Sequence, residues 1–92
     1  MAVPSLDPDL LKAFVAVAEP PSFHRAATAL NRTQSAVSMQ VMRLEERVGT
    51  ALFHRTKVHV ELSLAGERLL GYARRILQLG DDAAGGLGVD PG

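Results

Sequence analysis

Ser22-Phe23-His24-Arg25-Ala26-Ala27-Thr28-Ala29-Leu30-Asn31-Arg32-Thr33-Gln34-Ser35-Ala36-Val37-Ser38 is the stretch whose reading decides the fold of this chain. It reads as one short helix, a three-residue break, and a second helix that opens on small polar side chains. Two helices joined by so tight a turn cross at a steep angle. The second then projects from the body of the domain, as a helix that enters the major groove of DNA has to.

Within the stretch, Ser22 is placed to cap the first of these helices, whose inner face is Phe23, Ala26, Ala27 and Leu30. Asn31-Arg32-Thr33 forms the turn, where Asn tolerates the left-handed backbone that helix ends often need. Thr33 is placed to cap the next helix, which should run from Gln34 to Val48 with Gly49 as its stop. At about 100° per residue, Val37, Val41, Leu44 and Val48 fall within roughly 60° of arc and form its core face. Ser35, Met39 and Met42 fall on the opposite side, with Ser38 at the flank and Gln34 at the entering end.

Upstream, Asp7-Pro8-Asp9 is a helix start. Asp7 can cap free N–H groups, Pro8 fits the first helical position, and Asp9 suits the positive helix end. Leu10, Leu11, Phe14, Val17 and Ala18 recur at helical spacing until Pro20-Pro21 stops the run. Downstream of Gly49, Leu52 to Arg55 and Val58 to Leu62 read as two short strands with Thr56-Lys57 at the tip, and the second strand alternates by two. Such a ribbon after a helix-turn-helix is a wing. Ser63 can cap a fourth helix reaching about Leu79. Gly66 and Gly71 each cost that helix roughly 1 kcal/mol against Ala, so close packing is the expected reason for them.

The expected fold is mainly α: a winged helix-turn-helix of three helices plus a two-stranded wing, followed by a long linker helix. The divisions are residues 1–62 for the winged domain, 63–79 for the linker helix and 80–92 for a Gly- and Asp-rich flexible tail. Ninety-two residues suit one small domain. The absence of cysteine excludes disulfides and cysteine-held metal, and fits the cytoplasm. No apolar run of about 18 residues is present, so no membrane span is expected. The three histidines have neither cysteine nor clustered carboxylates beside them, so no metal and no other cofactor is expected. No catalytic constellation is present, so an enzyme is not expected either.

The net charge is zero, but it is segregated. Residues 20–60 hold Arg25, Arg32, Arg43, Arg47, Arg55 and Lys57 against Glu45 and Glu46, a balance of +4, while residues 1–19 and 61–92 each sum to −2. Binding to a polyanion depends on local field, so this distribution matters more than the total. The competing reading is chance scatter of the cations.

Several phrases closely resemble the N-terminal DNA-binding domain of LysR-type transcriptional regulators. They are Leu11 to Glu19, then Ser22-Phe23 with Arg25-Ala26-Ala27 and Leu30, and Thr33 to Ser38 with Gln40 and Arg43-Leu44-Glu45. Gly49, Leu52-Phe53, Arg55-Thr56, Leu62-Ser63, Ala65-Gly66 and Arg74 to Leu77 complete the set, in the family's order and spacing. The chain departs from the family pattern in three places. Pro20-Pro21 stands where Gly is common, Met39 where many members have Arg, and Lys57-Val58-His59 lacks the usual wing glycine.

The resemblance implies double-stranded DNA as the partner, with the third helix in the major groove and the wing on the flanking backbone. It places a base-contacting Gln at Gln34, where a carboxamide can bond adenine at N6 and N7. Ser35 and Ser38 can bond bases or phosphates, Thr33 and Arg32 a phosphate, and Arg55 and Lys57 phosphate or the minor groove. Met39 either touches thymine methyls, or is partly buried against the wing or simply exposed. Arg43 either contributes to the basic surface or pairs with Glu46 one turn on. In the family two linker helices pair into a dimer, which here points to Leu69, Tyr72, Ala73, Ile76 and Leu79 as the homodimer seam. The alternative is that these residues pack on their own domain. Full-length members carry a larger C-terminal domain that senses a small-molecule effector, and these 92 residues do not contain it. The rival function is a helical interaction module that dimerises without reading DNA.

Overall fold

The computed structural model describes residues 7–86, with side chains as far as Gln78. Helix α1 spans Pro8–Ala18, α2 Phe23–Leu30 and α3 Gln34–Val48. Strands β1 (Phe53–Arg55) and β2 (Val60–Leu62) follow, then α4 (Leu64–Gly86). The caps explain the boundaries. Asp7 accepts from the Asp9 N–H at 2.9 Å, Ser22 from Arg25 at 3.1 Å and Thr33 from Ala36 at 3.0 Å. Asn31 (φ 54°) and Gly49 (φ 81°) close α2 and α3 in the left-handed region, as short polar and glycine residues can.

The core sits on α1, which packs against α2, α3 and α4. Leu11, Phe14, Val17, Val37, Val41, Leu44 and Leu52 are its largest fully buried side chains. The core stripe of α3 is therefore the expected one, with Val48 half-buried at its end. Glu45 accepts from the Leu52 N–H at 2.8 Å and ties the end of α3 to the start of the wing. Ser63 donates to the Ala51 carbonyl at 2.7 Å and accepts from Gly66 N–H at 2.9 Å, so one hydroxyl joins the loop before the wing to the first turn of α4. Arg74 and Glu19 form an ion pair between α4 and the end of α1.

The strands pair antiparallel, with Phe53 opposite Leu62, His54 opposite Glu61 and Arg55 opposite Val60. Both are shorter than expected from the sequence. Thr56 N–H donates to the His59 carbonyl at 2.8 Å, so the chain turns tightly at Lys57-Val58. Val58 lies at the tip, 94% exposed, rather than in the second strand. Alternation by two holds only for Val60 and Leu62, which face the core.

Three expectations for the fourth helix need correction. Its backbone runs on to Gly86, past the end expected at Leu79, so residues 80–86 of the supposed tail are helical, and 87–92 lie outside the described residues. Extending an existing helix adds a hydrogen bond for each residue fixed, whereas the low helix propensity of Gly80, Asp81 and Asp82 is what points to an end at Leu79 in the sequence. The second correction concerns the glycines. A Cβ on Gly66 would lie 2.2 Å from the Leu52 carbonyl oxygen, which is the close approach expected, whereas one on Gly71 would meet nothing within 4 Å. The third concerns Ala73. It is 0% exposed and belongs to the protomer's own core with Leu70, and Leu69 is half-buried against the same cluster. A small residue on the face pressed to α1 has no surface left for a partner. Tyr72 (66% exposed) and Ile76 (45%) remain outside, and the side chain of Leu79 lies outside the described residues.

Candidate nucleic-acid interface

The outer face of α3 is built as its periodicity dictates. With the valines and Leu44 turned inward, Ser35 and Gln34 are exposed, Ser38 is half-buried at the flank, and Met39 (51%) and Met42 (49%) stand out in solvent. No formal charge sits on these five side chains, and three of them are short or amide groups. They line, with Phe23 and Arg55, an open hollow of about 460 Å³. The floor of the face is therefore slim, and its cations come from neighbouring elements.

The wing is locked to this face by one arginine. Arg55 donates from Nη1 to Ser38 Oγ at 2.9 Å. Its guanidinium also lies over the Phe23 ring, 4.1 Å from the centroid, a cation–π arrangement. Phe23 in turn meets Phe53 edge-on at 5.7 Å, and Phe53 packs on Phe14 at 5.5 Å. A row of aromatic rings thus connects the core to the wing arginine. Guanidinium carries five N–H donors, and Ser38 keeps its own hydroxyl hydrogen, so both retain hydrogen-bonding capacity toward a ligand.

Gln34 sits at the centre of the polar features. Its Nε2 lies 3.1 Å from His24 Nδ1, across the turn. It lines the first hollow and two more. One, of about 560 Å³, is bounded by His24, Asn31, Arg32 and Thr33. The other, of about 670 Å³, runs between the start of α2 and the wing tip, past Lys57 and His59. The three hollows share Gln34, and the charged groups lining them are Arg32, Arg55 and Lys57, with no carboxylate among them.

Residues 8–67 match the model of the bacterial regulatory helix-turn-helix protein, lysR family. The chain belongs to the LysR family. It is 51% identical over 83 residues to the HTH-type transcriptional regulator PecT of Dickeya dadantii, covering 90% of this chain and 26% of that protein. It is 51% identical over 79 residues to the regulator DgdR of Burkholderia cepacia, covering 86% of this chain and 27% of that one. The chain thus spans about a quarter of the length of these curated relatives.

Among solved structures, the DNA-binding domain of CbnR in complex with DNA superimposes with a TM-score of 0.82 at 35% identity, over 86% of this chain and 91% of that one. The DNA-binding domain of BenM on its benA site 1 DNA gives 0.82 at 32%, over 87% and 90%. The winged helix-turn-helix is therefore the fold of a LysR-type DNA-binding domain. The relatives are named as regulators, so neither an enzyme nor an interaction module without DNA is favoured.

Against that family frame, the residues singled out in the sequence divide clearly. Gln34, Ser35, Ser38, Met39 and Arg55 share one hollow. Thr33 and Arg32 border the next one, and Lys57 stands at the wing tip beside the third. Of the two alternatives for Arg43, the pair with Glu46 is not formed among the described residues, and both side chains stay exposed on α3. Sequence reasoning missed the partners His24 and Phe23. Nothing in the spacing signals them, because Phe23 meets Arg55 across the fold and His24 meets Gln34 only once the turn is made. No helix among the described residues is long and apolar enough to cross a membrane.

Proposed function

We propose that this domain reads a specific duplex sequence with the first two turns of α3 in the major groove. Gln34 bonds an adenine at N6 and N7, and Ser35 and Ser38 bring the backbone close and bond base edges or phosphate. Met39 contacts thymine methyls. Thr33, Arg32, Arg55 and Lys57 hold the sugar–phosphate backbone on either side. The reading rests above all on the uncharged, exposed face from Gln34 to Met42, flanked by Arg32, Arg55 and Lys57.

Two copies join through α4 in this reading, with Tyr72 and Ile76 in the seam, and occupy two half-sites about one helical turn apart. A protein of the relatives' length would add an effector-binding C-terminal domain and regulate transcription in the cytoplasm. The test is fluorescence anisotropy on duplexes selected from a random pool, repeated across a salt series. A log–log salt slope of several units supports phosphate engagement by this cationic flank, and a flat slope contradicts it.

A further inference from the structure

Gln34 does not stand alone at the tip of α3. As the amide is oriented here, its Nε2 faces His24 Nδ1 at 3.1 Å, so Nε2 donates and the imidazole accepts, with the ring proton on His24 Nε2. That bond uses one of the two Nε2 hydrogens. The other hydrogen and Oε1 stay free on the opposite edge of the carboxamide. Adenine requires that edge: a donor for N7 and an acceptor for N6. Turning the amide over exchanges the places of oxygen and nitrogen and reverses the order of donor and acceptor. Both side chains are exposed, so nothing else among the described contacts holds the carboxamide in one of its two orientations.

We propose that His24 is the positioning residue that sets the Gln34 carboxamide, and with it the base pair accepted where Gln34 meets DNA. This rests on the base-reading role proposed above for Gln34. The charged and titratable groups lining the hollows beside His24 are Arg32 from the turn, and Lys57 and His59 from the wing. They set the pull on phosphate at every sequence alike. The signature of positioning is therefore discrimination at one base pair, separate from overall affinity.

The experiment is selection from a random duplex pool at one fixed pH and salt concentration, with the unmodified chain, Gln34→Ala, His24→Ala and His24→Asn. Gln34→Ala identifies the position it reads. His24→Ala should relax preference by about tenfold at that same position and leave the others unchanged. His24→Asn offers Oδ1 where Nδ1 stood, so it should keep the preference that His24→Ala loses. Relaxation spread evenly over all positions, or none at the Gln34 position, overturns the proposal and leaves His24 as a phosphate neighbour. A wild-type chain that enriches no sequence sinks base reading itself. Enrichment with an unaltered Gln34→Ala pattern removes Gln34 from the readout, and His24 with it.

Discussion

Helices α3 and α4 share a construction and differ on the side they turn to solvent. Each buries one stripe against α1. The outward side of α3 from Gln34 to Met42 is serine, glutamine and thioether, with the wing arginine fastened across it. The outward side of α4 is Tyr72 and Ile76 beside Arg68 and Arg75. Uncharged short groups rimmed by cations admit a groove edge and grip phosphates. A bulky aromatic and a branched aliphatic left in water are better covered by another apolar surface. The contrast teaches that burial periodicity alone does not tell the two proposed roles apart, since both helices show it. What distinguishes them is the chemistry of the face left over.

Four variants probe that contrast. Gly66→Ala should have the largest effect, because the new methyl meets the Leu52 carbonyl backbone and the wing cannot move off without breaking the Ser63 bonds. A loss of about 3 kcal/mol is expected from urea unfolding, and an unchanged midpoint would show that the approach of α4 to β1 is looser than described. Next, the double change of Tyr72→Ala with Ile76→Ala should shift sedimentation toward monomer and weaken binding to a two-half-site duplex by about tenfold or more. A dimer that persists would move the seam elsewhere on the molecule.

Arg55→Ala should weaken every duplex alike and lower the salt slope by about one unit. A slope that stays put would confine Arg55 to bracing the wing through Ser38 and Phe23. The smallest effect belongs to Gly71→Ala. With open space around the site, alanine should raise helix stability by roughly 0.5–1 kcal/mol in the same urea experiment. Should it instead abolish the dimer, Gly71 would prove to be a point of contact with the second copy.

Much of this was legible in the sequence because cap chemistry is local. Asp7, Ser22, Thr33, Asn31 and Gly49 each act on a backbone group within a few residues, and each does what its type and position imply. The wing was legible in kind but not in extent, since the pairing of Thr56 with His59 decides where β2 begins. Ala73 was misplaced for a physical reason. An apolar residue at helical spacing serves the protomer's own core or a partner's surface equally well, and only the packing against α1 selects between them. The Arg55–Ser38 bond spans 17 residues, and the Gln34–His24 pair spans the turn. Neither has a periodicity to betray it.

The central claim is that α3 reads bases through the edge beginning at Gln34. The most direct measurement is the dissociation constant of the unmodified chain and of Gln34→Ala, each on the selected duplex and on a scrambled duplex at one salt concentration. A base-reading Gln34 predicts that the substitution costs about tenfold or more on the selected duplex and leaves scrambled DNA nearly untouched. Equal losses on both duplexes would contradict it.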